Sequence, residues 1–542
     1  MPFISIPMPP PFRGEMAAYD PMVIPQDGLY LSRNLLRRYG KISLRPGIEP
    51  ANASLGCTSF IGMTEYDAPA EDAMIVAFTP EGWYRWDKTN DLLVSIGPWL
   101  DTSGTAYLSG SDAHVTSRIY ELSGIPWLLG CNGAGTINAW NGDPSTPPRA
   151  VLGSPPPVVN CIAIAGERLL AGVGHEIWTS ELPALNGFDA GWGNIVDSLV
   201  DTPGDIVAIS ELGAQAVVVF KEDAIYVGTT TQSATEPTAW QLLAANVPGP
   251  VSARAVDSLP DGSKIYLARD GSIRRFAGDQ PEVVSEHADA HIQTQASFDK
   301  LTLSWVMTSP HFGEVHIAYV PVGDTRRSRI LALSLPDGAI WPLTSDLSYH
   351  DFQAGIESSG GGSPSIGSFS STLGELGSAT LGSFNTINPQ IMYGMGGLLD
   401  GSDQVPGCYL ALSNGTEDTQ HGDGGAQVPI PFEARTGLMK PFEDGWGTMR
   451  HIELFVAGAP HDATITVYRS DHAEQPPIGT SIATTPHVGR RVRGRTRAFG
   501  RFFSLSVSGS SDQAMTFSGG VAKALPRGSA GGDRFGTEDV WA

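Results

Sequence analysis

The sequence predicts a mainly β protein, and three observations carry the prediction. Of 542 residues, 41% are hydrophobic and only 17% charged, while 64 glycines and 41 prolines supply turns for many short strands. Apolar residues come in short or alternating runs, and long stretches with a helical period are scarce. The third observation is a recurring unit: an apolar strand, a glycine turn, then a strand bearing Trp, Tyr or Phe.

The unit is clearest between residues 217 and 292. In VVVFKEDAIYVGTTT the β-prone runs 217–220 and 224–227 flank Glu222-Asp223, and in KIYLARDGSIRRF the runs 264–268 and 272–276 flank Asp270-Gly271. Asp-Gly between such runs signals a hairpin, because both turn residues tolerate positive φ. The same unit reads as IVAFTPEGWYRWD from Ile75, WLLGCNGAGTINAWNG from Trp127 and RLLAGVGHEIWTS from Arg168. It returns as RILALSLPDGAIWPLT from Arg329 and IMYGMGGLLDGSD from Ile391. The turn residues Gly82, Gly135, Gly174, Asp223, Gly271 and Gly338 lie 53, 39, 49, 48 and 67 residues apart. That is roughly the 40 to 50 residues of a four-stranded propeller blade. A β-propeller of about six to seven blades over residues 51–405 is therefore expected. A two-sheet sandwich with long loops is the competing arrangement.

Before this core, residues 1–50 read as an extended docking arm. MPPPF cannot continue a helix, a short amphipathic piece covers 29–39, and GKISLRPGIEP follows. Within the core, residues 358–389 are Gly/Ser-rich, as in a flexible inserted loop. A second composition shift at 408–427 precedes alternating segments such as MRHIELFVAG and ATITVYRSD, where Glu453, Phe455 and Ala457 fall on one face and Leu454 and Val456 on the other. This predicts an added C-terminal β-sandwich over 406–542, with a loose or partner-ordered tail after Pro526.

Cys57, Cys131, Cys161 and Cys408 are scattered, with no C-x-x-C pair, so buried free thiols are expected. The N-terminus shows no charged region followed by a long apolar core, and no run of 18 apolar residues occurs, which predicts a soluble product of cytosolic synthesis. Net charge is −23, unevenly placed: residues 1–50 carry +2, residues 490–501 (RRVRGRTRAFGR) carry +6, and the remainder −31. So acidic a body argues against broad nucleic-acid affinity, which needs a basic footprint.

No phosphate-binding loop, zinc-protease or nucleophile-elbow motif is present. His287, Asp289 and His291 would share one face of a strand, whereas a helix would part the histidines; a surface stretch closing a blade is the expectation, with no metal. Ser334–Trp341 (SLPDGAIW) is close to the Asp-box turn of sialidases, but Asp337 and Gly338 are adjacent, and a plain hairpin with a core Trp341 is expected. Glycoside hydrolysis needs a carboxylate pair about 5 to 10 Å apart, and nothing in the sequence selects one. Arg491, Arg493, Arg495 and Arg497 alternate, so a strand would aim four like charges at one face. Such a row calls for an anionic surface opposite, with a solvated face balanced by local carboxylates as the alternative.

The opening IPQDGLYLSRNLLRRYGKISLRPG resembles the N-terminal segment of the tail nozzle proteins (tail-hub or DNA-stabilisation proteins) of short-tailed bacteriophages. FKEDAIYVGTTT, VPGPVSARAV, PDGSKIYLARDGSIRRFAG and VVSEHADAHI are similar to that family's propeller core. The resemblance runs in pieces from Pro25 to Val405 and rests on glycine-turn idioms. It implies a structural, non-enzymatic virion protein of the phage tail, made in the host cytoplasm and needing no cofactor. By the same resemblance it forms a homo-oligomeric, hexameric ring below the portal and adaptor proteins. It would meet tail fibre or needle proteins, pass genome DNA through its lumen during ejection without sequence-specific binding, and touch no membrane. The expected interface residues are Arg33, Arg37, Arg38 and Arg45 in the opening, with Arg491, Arg493, Arg495 and Arg497 near the C-terminus. The rival from another class is a propeller glycan-binding protein or glycoside hydrolase.

Overall fold

The computed structural model describes residues 4–527 apart from 12, 22, 51–58, 68–73, 88–89, 91, 194, 232, 234–235, 345–350, 359–389, 399–405, 416–417, 420–426, 442–445, 458–461, 471–477, 483–490 and 512–514. The Gly/Ser-rich segment and the C-terminal tail singled out above thus fall outside the described residues, bar Ser358 at one end and Pro526 and Arg527 at the other. The chain is mainly β and divides into two compact units, one of residues 47–336 and 345–427, the other of 1–46, 337–344 and 428–542.

The larger unit is a succession of antiparallel meanders. Sheets I (62–107), II (116–150), III (161–198), IV (206–245), V (256–283), VI (305–334) and VII (351–415) follow one another along the chain. Their first strands are Gly62–Tyr66, Thr116–Leu122, Cys161–Ala165, Ile206–Glu211, Val256–Ser258, Trp305–Ser309 and Asp351–Ser358. In strand order each sheet is sequential, with one exception. Sheet VII takes its last strand, Gly47–Pro50, from far upstream, pairing Ile48 with Ser413 and Pro50 with Ala411.

Alternation explains why these strands are apolar throughout. Side chains along a strand point to opposite faces in turn, and here both faces meet another sheet. In Ala216–Lys221, Val217 and Val219 join a core shared with sheet III, while Val218 and Phe220 join one shared with sheet V. In Met74–Phe78, Val76 and Phe78 pack toward sheet II around Trp83, Trp99 and Trp140, while Ile75 and Ala77 pack toward Met392 and Leu410 of sheet VII. Each such side chain contributes about 1.5–3 kcal/mol relative to exposure. Polar tips tie the same neighbours: Tyr66 Oη donates to Pro126 O (2.7 Å), Tyr120 Oη to Glu167 O (2.7 Å), and Trp240 Nε1 to Asp197 Oδ2 (2.8 Å). Burial pushes the Tyr66 and Tyr120 phenols up to about 12, so both stay donors.

The two expected hairpins form as read, with Val218 opposite Val227 and Leu267 opposite Ile273. Gly271 takes φ +78°, and Asp270 Oδ1 accepts Ser272 N (3.0 Å) to close its turn. The long 67-residue interval has a simple origin. The first five turn residues join the second and third strands of their sheets, but Gly338 follows the third strand of sheet VI, Arg329–Ser334. Its true counterpart lies between Glu314–Tyr319 and Arg329–Ser334, around Gly323.

In the smaller unit the N-terminal residues are part of the sheets. Ile4–Met8 pairs with Thr516–Arg527, and Leu35–Arg38, Lys41–Leu44, Thr516–Arg527, Trp446–Ala457 and Arg491–Gly500 follow in one sheet. The other runs Leu29–Arg33, Ile430–Thr436, Phe502–Ser511, Asp462–Ser470, Ile478–Ile482. Phe432 and Phe517 meet edge to face across the two sheets, centroids 5.8 Å apart. Ile452 and Leu454 are buried and Glu453 and Phe455 half-buried, the expected alternation. The division into arm, 51–405 and 406–542 is therefore corrected. Backbone pairing draws residues 4–44 into the sheets of the C-terminal segment, and Pro406–Gly415 stays with sheet VII.

The expected amphipathic piece at 29–39 is two strands broken at Asn34, whose φ of 57° is tolerated because a short amide side chain suits the left-handed region. Asn34 is fully buried, and its amide donates to Pro431 O (2.7 Å) while Oδ1 accepts Thr344 N (2.5 Å).

Ile48 is 3% exposed, and its N–H donates to the buried Asp418 Oδ1 (3.1 Å). Ile48→Ala should cost about 2–4 kcal/mol, read as a lower denaturant midpoint at unchanged slope; a loss below about 0.5 kcal/mol would show that this strand is peripheral.

Candidate functional site

The first strands of the larger unit carry polar and charged side chains, among them Glu65, Arg118, Glu211 and Asp257. They converge on one cavity of about 1000 Å³, to which all seven sheets contribute. The first strand of sheet VII lies beside that of sheet I, just as I neighbours II and VI neighbours VII. His114, heading the first strand of sheet II, reaches Thr302 O (2.7 Å) in the Phe298–Leu303 turn ahead of sheet VI. Sheets II and VI are not neighbours, so this contact crosses the interior.

Arg118, Glu211, Arg254 and Asp257 are charged groups of the lining, together with Glu65, His311 and Glu357. Arg118 Nε donates to Glu211 Oε1 (2.5 Å), which also accepts Ile164 N (3.0 Å), so one carboxylate oxygen joins sheets II, III and IV. Burial pushes the Glu211 carboxyl up, but the Arg118 charge and these hydrogen bonds hold it below the ordinary carboxylate range. Asp257 accepts Thr308 N on Oδ2 (2.6 Å) and Ser258 N on Oδ1 (2.8 Å), yet burial still leaves its carboxyl raised. Burial, with the Arg327 charge beside it, holds the His114 imidazole down to about 4, hence neutral at pH 7. Cys131 and Cys161 are buried free thiols raised by burial, as expected; the latter is pushed up to about 12 and borders the cavity.

The cavity groups were invisible as a motif because they are spread over several sheets. Their one local signature is a charged residue inside or flanking a short apolar first strand, as in VTSRIYEL, IVAISEL and ARAVDS.

The residues singled out from sequence go elsewhere. His287, Asp289 and His291 lie on the helix Glu286–Gln295, capped by Ser285, and not on a strand. A helix does not part the two histidines, which sit one turn apart. Instead each group has its own role: His291 is buried against Tyr319 Oη (2.8 Å), and Asp289 Oδ1 accepts Ile273 N (2.7 Å). Among the described residues no group of three His, Cys, Asp or Glu could hold a metal ion. Trp341 is buried, as expected of the Asp-box-like segment, and Asp337 pairs with Arg37.

Arg33 donates to Thr344 Oγ1 (2.8 Å), and Arg38 is half-buried. Arg45, expected at an interface, is instead buried in its own unit, donating to Thr344 O (3.0 Å), Asn34 Oδ1 (3.2 Å) and Pro46 O (2.9 Å). Arg491, Arg493, Arg495 and Arg497 do lie on one strand, Arg491–Gly500, with Glu453 facing Arg493 in register and His451 facing Arg495. No helix among the described residues is long and apolar enough to cross a membrane. No family model and no curated protein sequence matches the chain.

Two pH dependences follow. The folded value of Glu211 lies below its unfolded one, so its stabilisation is present at neutral pH and lost as pH falls through the folded value. Glu211→Gln should lower stability at pH 7 by about 1–3 kcal/mol, less than for a dry pair because the cavity partly solvates it. The difference from wild type should shrink below about pH 4; an equal loss at pH 3 and pH 7 would assign the effect to packing.

Asp289 has the opposite sign, since burial pushes its carboxyl up to about 6. Its favourable contribution is full below the ordinary carboxylate range and lost as pH rises through about 6. Asp289→Asn, which keeps the acceptor for Ile273, should be more stable than wild type at pH 7–8 and lose that advantage near pH 4. Denaturant melts across the range test this, and a variant destabilised at pH 8 would contradict it.

Proposed function

We propose that sheets I to VII are the blades of a seven-bladed β-propeller closed by Gly47–Pro50, that the smaller unit is a β-sandwich, and that the protein is a tail nozzle of a short-tailed bacteriophage. One observation supports the propeller best: seven sequential meanders share a central cavity, and the last is completed by a strand from before the first. Such a closure joins the ends of a circular array of sheets. The step from propeller to nozzle rests on the resemblance of the opening segment and of residues 217–292.

In this reading the role is structural. Subunits form a ring below the portal and adaptor, retain the genome and conduct it during ejection. A net charge of −23 suits a channel wall that must not hold DNA, since like charge within the ~8 Å Debye length still repels at physiological salt. The strand Arg491–Gly500 departs from that balance and belongs at a contact between subunits, facing acidic surface.

Two variants test the assembly. Deleting residues 1–28 removes Ile4–Met8 from the smaller unit but leaves the propeller strands intact, so the larger unit should still fold while the chain fails to enter virions. Arg493→Glu with Arg495→Glu should weaken rings seen by negative-stain microscopy, and high salt should weaken wild-type rings. Normal incorporation of the truncated chain, or monomers at high concentration, would sink the nozzle reading.

A further inference from the structure

Charge divides with the fold. The smaller unit carries 19 basic and 15 acidic residues, a formal +4, and the larger unit 15 basic and 42 acidic, a formal −27. Surfaces of such opposite sign on one chain suit each other on different copies, because every copy offers both. The smaller unit also sets one cation out on a flat sheet face, and that face has the composition of a contact surface.

The cation is Arg435, in the sheet where Ile430–Thr436, Phe502–Ser511 and Asp462–Ser470 lie side by side. Alternation along Phe502–Ser511 sends Phe503 and Leu505 into the core and turns Ser504 and Ser506 to the opposite face. On that face Arg435 stands in register with Ser506, and Tyr468 with Ser504. Arg435 lies across the serine-bearing strand, with Cζ 3.7 Å from the Tyr468 ring centroid and 5.3 Å from that of Tyr30, and Nε donating to Ser504 Oγ (3.3 Å). This roof leaves both serines 2% exposed although they face away from the core. Tyr30 and Leu31 stay exposed beside it, and Arg435 is half-buried. Its two terminal nitrogens make no hydrogen bond or ion pair among the described residues. Two rings thus hold a planar fork of donors in one orientation, so little side-chain entropy is left to lose when a carboxylate meets it. Tyr and Arg are also the residue types that anchor protein interfaces.

We infer that this sheet face docks onto the acidic larger unit of a second copy of the chain, with Arg435 as the anchor on its side. Because the two surfaces differ, the contact is heterologous and repeats head to tail, closing into a ring or growing as a filament. It is distinct from the contact of Arg491–Gly500, which lies in the other sheet of the smaller unit. It requires only that copies associate, whatever the assembly serves.

Sedimentation velocity of the full chain over a range of concentrations, in low and high salt, tests it. Wild type should associate, and less so in high salt. Arg435→Glu should weaken association by at least about tenfold, the loss expected of an interface anchor. Arg269→Glu, at a larger-unit cation paired with Glu222, should not weaken it. Arg435→Lys keeps the charge and supplies an amine for carbodiimide coupling to carboxylates. In a mixture of isotope-labelled and unlabelled chains, mass spectrometry should then find links between copies that join position 435 to the larger unit. Wild type monomeric at every concentration overturns the proposal, as does association unchanged in Arg435→Glu, or links from position 435 confined to the smaller unit. Association that depends on Arg435, in a protein whose form lacking residues 1–28 still enters virions, would keep this contact and remove the nozzle reading. Rings indifferent to Arg435→Glu would remove the contact and leave the nozzle reading standing.

Discussion

The pairing of Gly47–Pro50 with Pro406–Gly415 is the constraint on which the larger unit depends. Every meander in it is apolar on both faces, so none is stable alone, and each needs a sheet on either side. A row of such sheets would leave two bare faces, at I and at VII. Setting the first strand of VII beside that of I removes both, and the upstream strand locks the junction with backbone hydrogen bonds. Ile48 contributes the buried side chain, and Asp418 answers its N–H. The pairing also spans some 360 residues, so its loop-closure entropy is among the largest in the fold.

Packing sheets face to face has a chemical consequence at the centre. Each first strand pairs with its second strand along one edge, and its other edge faces the cavity. Water or polar side chains must fill the space between them. The chain places charges on most of these strands and pairs Arg118 with Glu211 across sheets. With the Ile164 N–H, three successive sheets meet at one carboxylate oxygen. Because the pair borders a water-accessible cavity, it positions the sheets more than it stabilises them.

The smaller unit follows another logic. Its two sheets are each assembled from both ends of the chain, and Asn34 is the point where consecutive strands part for different sheets. A left-handed backbone at a buried position demands either glycine or a residue that satisfies its own amide. Asn34 does so through Pro431 O and Thr344 N, and Arg45 completes the same knot with its guanidinium on Asn34 and Thr344. Charge in a sequence is thus no guide to exposure by itself: among the opening arginines, Arg45 is sealed inside.

The sequence by itself determined the strand class, the hairpins at Glu222-Asp223 and Asp270-Gly271, the recurring strand–turn–strand unit, and the alternation in Trp446–Ala457. All are local, set by turn chemistry such as the positive φ of Gly271 and by the period-two pattern of a strand. Only the tertiary structure decided the rest. A slip of one hairpin in sheet VI is invisible in a repeat made of shape and not of fixed letters. The helical state of Glu286–Gln295, capped by Ser285, overrode an alternating His-Asp-His pattern that fits a strand equally well. Above all, Arg118, Glu211, Arg254 and Asp257 lie up to 139 residues apart in sequence and meet because seven strands converge on one axis of contact. Each is a single charge in an unremarkable local context, and convergence of that kind is a property of packing, which no window of sequence contains.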